Sequence, residues 1–161
     1  MRRFIDQPEL KLWLDTDIEF GAPRANMTLG LLTETGLLSA ENQAQAILLQ
    51  RLVNDSLSAV TYPAYLAGLG YSINVSDSGF AISVNGYQDK QMALLKTVTE
   101  RLFSTAISTE RFTTIKSSLI KDWRNSSKDK PYLQALGALG DTFLSGSWPA
   151  TTLADALEPI N

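Results

Sequence analysis

Two arrangements of residues in this sequence have types and spacing that could do chemistry. Asp15, Asp17 and Glu19 stand two apart, so an extended strand would carry all three carboxylates on one face. Such a face could hold a hard cation. The plainer reading, like charges turned to water at a strand edge or turn, is adopted here. Ser118-Leu119-Ile120-Lys121 has the Ser-x-x-Lys spacing, in which the lysine could activate the hydroxyl. This pair falls in the middle of a helical pattern beside core positions, and the spacing is frequent by chance. Glu110 next to Arg111 reads as first-turn helix electrostatics rather than a general base. Gly68-Leu69-Gly70 lacks the third glycine of a phosphate-cradling loop, and a strand follows where a helix should, so it reads as a helix stop. Tyr62, Tyr65 and Tyr71 could form an aromatic platform but read as core and rim of a helix-to-strand turn. Asn26-Met27-Thr28, Asn74-Val75-Ser76 and Asn125-Ser126-Ser127 fit a glycosylation pattern that matters only in a eukaryotic secretory pathway. No residue is therefore assigned a catalytic, cofactor-binding or metal-binding role.

Composition narrows the choice further. The chain has no histidine and no cysteine, which removes the commonest metal ligand and general base together with disulfide and thiol chemistry. Its 161 residues, 44% apolar and 19% charged, suit one globular domain, 1–161, with no internal repeat or linker. The net charge is -3 with scattered basic residues, so no basic stripe is available for nucleic acid. No apolar run approaches the ~20 residues of a membrane span. The opening Met1-Arg2-Arg3-Phe4-Ile5-Asp6 lacks an apolar region and is not read as a signal peptide.

Several elements would position these residues. Leu10–Leu14 and Asn26–Thr33 read as strands, with Met27, Leu29 and Leu31 on one face. Ser39 caps a long helix from Ala40 to about Val60, apolar on more than one stripe and so covered on two sides. Pro63 should end it at Tyr62 and open a short helix, Ala64–Ala67. Two alternating runs, Tyr71-Ile73-Val75 and Phe80-Ile82-Val84, flank Asp77-Ser78-Gly79 and form an antiparallel hairpin. Asp89 caps a helix over Lys90–Ser104 with Met92, Leu95, Val98 and Leu102 inward. Thr109 caps another with Phe112, Ile115, Leu119 and Trp123 inward. A further helix covers Tyr132–Leu144, and a last one begins near Thr152. This order predicts an α+β fold, a mainly antiparallel four-stranded sheet packed by helices on one face.

Particular stretches carry a resemblance over almost the whole chain. Leu12-Trp13-Leu14-Asp15 with Phe20 and Pro23-Arg24-Ala25 comes first, then Tyr62-Pro63-Ala64 with Leu66-Ala67-Gly68-Leu69 and Tyr71. Gly86-Tyr87-Gln88-Asp89-Lys90-Gln91 and Glu110-Arg111-Phe112 with Ile115-Lys116 follow. In this order they resemble the third, middle domain of the large single-chain M16 metallopeptidases of the insulysin and pitrilysin type. The resemblance implies a non-catalytic domain that packs against other domains of the same peptidase. It would form part of the wall of a chamber enclosing a peptide substrate. Zinc would sit in the parent's first domain, on an "H-x-x-E-H" helix that no window here can match. The arginine and tyrosine that contact the scissile peptide in the family belong to its fourth domain, and Arg124 and Tyr132 lie in the wrong context to inherit those roles. Both ends of the chain read as cuts from a longer protein; the compartment stays open, and only a parent resembling bacterial protease III would suggest the periplasm. The alternative is a free-standing peptide- or protein-binding module of the same fold, without enzymatic activity.

Overall fold

The structure, a computed structural model, describes residues 2–16, 19, 21–33, 39–104, 106–143 and 146–160. Strands β1 (Arg2–Asp6) and β2 (Lys11–Leu14) form a hairpin of their own. Strands β3 (Arg24–Leu32), β4 (Gly70–Ser76) and β5 (Gly79–Tyr87) form an antiparallel sheet in the order β3-β5-β4. Helices α1 (Ala40–Leu66), α2 (Gln91–Ser104), α3 (Thr109–Asn125), α4 (Pro131–Phe143) and α5 (Ala150–Leu157) complete the chain.

The expected single sheet of four strands is thus corrected to two separate antiparallel sheets among the described residues. The segment Leu10–Leu14 does form a strand, but it pairs with Arg2–Asp6, whose polar sequence carries no alternation. Local closure decides the pairing. Gln7 and Leu10 exchange backbone hydrogen bonds of 2.9 and 3.2 Å across a tight turn, which costs less chain entropy than closing the longer connection to β3.

The nine residues of β3 pair in unbroken register with β5, from Arg24↔Tyr87 to Leu32↔Gly79. Alternation then sorts the two faces. Ile73, Ile82 and Val84 are buried on one of them and meet Val53 and Leu57 of α1 and Leu94, Val98 and Leu102 of α2. Helices α1 and α2 cover this face as expected. The other face carries Asn26, Thr28, Gly30, Ser72, Asn74, Ala81, Ser83 and Asn85. Gly79, at φ 139°, has no room for a side chain: a Cβ would lie 2.1 Å from the Leu31 carbonyl oxygen.

Helix α1 begins where its cap dictates, with the Ser39 Oγ accepting from the Asn42 N–H at 3.1 Å. It does not stop at Pro63, and this corrects the expected break at Tyr62 and the separate helix Ala64–Ala67. Pro63 removes one backbone donor, but Thr61 before it is buried and Ala64 after it packs on the core. Tertiary burial on both sides therefore carries the helix through. It ends in a Schellman motif: Leu69 N–H donates to the Ala64 carbonyl and Gly68 N–H to that of Tyr65, each at 3.0 Å, with Gly68 at φ 77°.

A second core forms on the first half of α1, where Ala44, Leu48 and Leu52 meet Leu119 of α3 and Leu153 and Leu157 of α5. Phe112, Ile115 and Trp123 pack against it as expected. Two details differ from expectation. Ser108, extended and immediately before the helix, caps α3 in place of Thr109, and α5 already begins at Ala150.

Two substitutions test this account. Gly79→Ala should cost about 2 kcal/mol or more, since its strain at positive φ adds to the clash with Leu31. Pro63→Ala should raise stability by about 1–3 kcal/mol by restoring the missing helical donor. Urea unfolding followed by circular dichroism reads both.

Candidate functional site

The residues singled out for chemistry are not brought together. Asp15 follows the end of β2, and Asp17 lies outside the described residues. Among the described residues no three histidine, cysteine or acidic side chains gather as a metal would require. Ser118 and Lys121 are both exposed on α3. Ser118 borders a shallow depression with Arg51, Asp55, Ile115, Leu119 and Asp122, whereas Lys121 does not. In this region Arg111 of α3 grips Asp55 of α1 through two nitrogens. Asp55 thereby strengthens the hold of the Arg111 guanidinium on its proton, which makes the pair a surface tie between helices. Glu110 sits in the first turn of α3.

The three tyrosines separate. Tyr71 packs against the sheet core. Burial pushes its phenol above the ordinary value, and hydrogen bonding to Thr61 works the other way. Tyr62 and Tyr65 stay exposed at the end of α1, with Tyr65 at 72%.

The glycines and the Gly86–Gln91 segment form a clamp rather than a binding loop. The backbone of β5 passes the end of α1 so closely that a Cβ on Gly86 would lie 2.3 Å from the Gly68 carbonyl oxygen. Tyr87 lies against Gly68, and the Arg24 guanidinium stands 5.1 Å over the Tyr87 ring. Gln91 is the residue the sequence pattern missed. It is fully buried at the start of α2, and its Nε2 donates to the carbonyls of Ala25 and Gly86, both at 2.6 Å. Flipping the amide would set its oxygen against both carbonyls, so the donors fix its orientation. Its Oε1 is buried with no hydrogen-bond partner among the described residues. Gln91 also explains a shifted helix face. Its reach to β3 and β5 sets the buried row as Gln91, Leu94, Val98 and Leu102 and turns Met92, expected inward, out to 63% exposure.

What remains at the surface has two opposed characters. The middle of the sheet face away from α1 and α2 is small and polar, with the Thr28 and Ser83 hydroxyls 3.0 Å apart on it, and the same register puts Arg24 and Tyr87 at one end of the face and exposed Leu32 at the other. Elsewhere large apolar side chains stand in the open. None of the residues of α4 is buried, and Leu136 and Phe143 are 61% and 78% exposed. The β1–β2 hairpin exposes Phe4, Leu10, Leu12, Trp13 and Leu14. No helix among the described residues is long and apolar enough to cross a membrane.

A family profile described as the middle or third domain of peptidase M16 matches residues 2–156. The insulin-degrading enzyme of Drosophila melanogaster is 28% identical over 156 residues, covering 97% of this chain and 16% of the relative. That of Homo sapiens is 30% identical over 150 residues, covering 93% and 15%. A protein of Schizosaccharomyces pombe whose given name is that of a zinc protease is 28% identical over 153 residues, covering 94% and 16%. The crystal structure of pitrilysin superposes with a TM-score of 0.78 at 22% identity, over 95% of this chain and 18% of that one. The chain belongs to the middle-domain family of the M16 peptidases. It spans about one sixth of the length of the curated relatives it matches.

Gln91→Ala should destabilise the fold by about 2–4 kcal/mol, because it strips the donor from two carbonyls at once. A urea titration measures the loss. Gln91→Leu, which fills the space but restores no donor, should recover less than half of it.

Proposed function

We propose that this chain serves as the non-catalytic middle domain of a zinc-dependent M16 metallopeptidase, and that it forms part of the wall of a peptide-enclosing chamber. The observation that carries this reading is the uncovered apolar surface of α4 and the β1–β2 hairpin. Leu133, Leu136, Leu139 and Phe143 recur at helical spacing, and Trp13 is 46% exposed on the hairpin. A domain that ended at its own surface would bury such a stripe; one built to pack against neighbouring domains leaves it open. The names of the relatives support the same reading, since they include insulin-degrading enzymes and a zinc protease.

The polar sheet face suits the other half of the role. Its hydroxyls and amides offer hydrogen bonds to a peptide backbone. Zinc, in this reading, is held by a different part of the parent protein. The contribution of this domain is enclosure, which admits unfolded chains by size and keeps folded proteins out.

Leu136→Asp with Leu139→Asp separates packing from fold. In this chain alone the double variant should unfold within about 0.5 kcal/mol of the parent, because both positions are exposed. In the longer polypeptide that bears this sequence it should lower zinc-dependent peptide cleavage at least tenfold. Cleavage left intact would overturn the reading. An immunoblot of source cells supplies the companion test. A band several times larger than 17.7 kDa supports the domain role, and one at that mass supports a free-standing module.

A further inference from the structure

Asn85-Gly86 is the one asparagine–glycine pair in the sequence. An asparagine amide carbon and the next backbone nitrogen can close into a five-membered ring. Glycine in second place leaves that nitrogen with no neighbouring side chain to screen it. The fold admits no other residue there. Gly86 stands at φ 123°, and a Cβ on it would lie 3.0 Å from the Leu69 Cα, besides its clash with Gly68. Asn85 is fitted to its place as well. Its Oδ1 lies 2.9 Å from where a Cβ on Gly70 would be, so the amide fills the notch that Gly70 leaves.

The same fold keeps the pair unreactive. Strand β5 is central, with Asn85 opposite Gly70 of β4 and Gly86 opposite Ala25 of β3. Thr33 N–H donates to the Ser78 carbonyl at 3.0 Å, which sets the phase of the β3–β5 ladder. Gly86, an even number of residues after Ser78, therefore turns its N–H to Ala25, and Asn85 bonds to Gly70 on the other side. The Gln91 Nε2 pins the carbonyls of Ala25 and Gly86, both at 2.6 Å. Ring closure has to rotate the peptide unit between Asn85 and Gly86, and that breaks both ladders at once.

We infer that Asn85 is a latent modification site, shut while β5 is paired and open to deamidation whenever the strand comes apart. In the first step the Gly86 nitrogen gives up its proton and bonds to the Asn85 Cγ. The Cγ–Nδ2 bond breaks, and Nδ2 leaves as ammonia with the proton that Gly86 gave up. Water then opens the succinimide at either carbonyl and leaves an aspartyl or an isoaspartyl unit at position 85. Water is the only co-reactant. The isoaspartyl form routes the chain through the side-chain carbon and makes it one backbone atom longer. This happens at the crossing where Gly68 and Gly86 already leave no space, so Gly70 and Ala25 can no longer both be met in register. Unpairing of β5 thereby becomes irreversible. The liability is independent of the chamber role.

Tandem mass spectrometry of tryptic peptides tests this in the longer polypeptide that bears this sequence. One sample ages folded in mildly alkaline buffer, and a second ages in the same buffer with unfolding urea. The acid forms at position 85 should accumulate about tenfold faster or more in urea. Asn26, whose next residue is Met27, should lag behind Asn85 there. Gly79→Ala, which strains the turn end of β5, should raise the rate in the folded sample about tenfold by opening the strand more often. Brief proteolysis of the aged folded sample should remove isoaspartyl chains about tenfold faster than unmodified ones. Equal rates with and without urea would overturn the inference, because the paired strand would then not be the lock. A folded-state rate unmoved by Gly79→Ala would overturn it too, as would isoaspartyl chains that resist the protease like the rest.

Discussion

Both cores of this domain are built on one helix. The first half of α1 gives Ala44, Leu48 and Leu52 to the cluster with α3 and α5, and the second half gives Val53 and Leu57 to the cluster with the sheet and α2. Burying a leucine fully is worth roughly 1.5–3 kcal/mol, so neither cluster stands without the α1 residues at its centre. The same constraint explains why the helix tolerates Pro63. Ending it at Tyr62 would withdraw Ala64 from the sheet core and misplace the Gly68 turn that feeds β4. The cost of one missing donor is smaller than that loss.

Two of the segments by which the chain resembles its family, those at Gly68 and at Gly86–Gln91, are points of close backbone approach. Gly68 ends α1, Gly86 passes it within a distance that admits no side chain, and Gln91 ties the strands on both sides of that crossing. Each joins elements distant in sequence. A motif of this kind records a geometric requirement of the fold. Its presence says nothing about reactive chemistry.

The β4–β5 hairpin was legible because strict alternation and Gly79 leave little choice, and the start of α1 because Ser39 is a strong cap. The inward faces of α3 were legible from spacing alone. The strand at Arg2–Asp6 was not, since its pairing comes from a local turn and its own residues carry no pattern. Gln91 was hidden for a related reason: periodicity marks apolar positions, and a buried amide has no such signature. The spacing of Leu133, Leu136, Leu139 and Phe143 marks an apolar side on α4, but spacing tells which side of a helix is greasy and not what covers it. For the candidate chemistry, the sequence offered Ser118 with Lys121 and the carboxylates near Asp15. The fold leaves the first pair exposed on one helix, and among the described residues it gathers no acidic cluster.

The division of labour along α1 also bears on the order in which the chain matures. The sheet core uses residues between Leu29 and Leu102, whereas the helical core needs Leu153 and Leu157 as well. During synthesis the sheet with α1 and α2 can therefore consolidate while roughly the last third of the chain is still being made. Over that interval Ala44, Leu48 and Leu52 wait without partners on the outer side of a formed helix. The domain passes through a stage with a sticky flank, which closes only when α5 arrives, and this is the stage at which a chaperone would find most to hold.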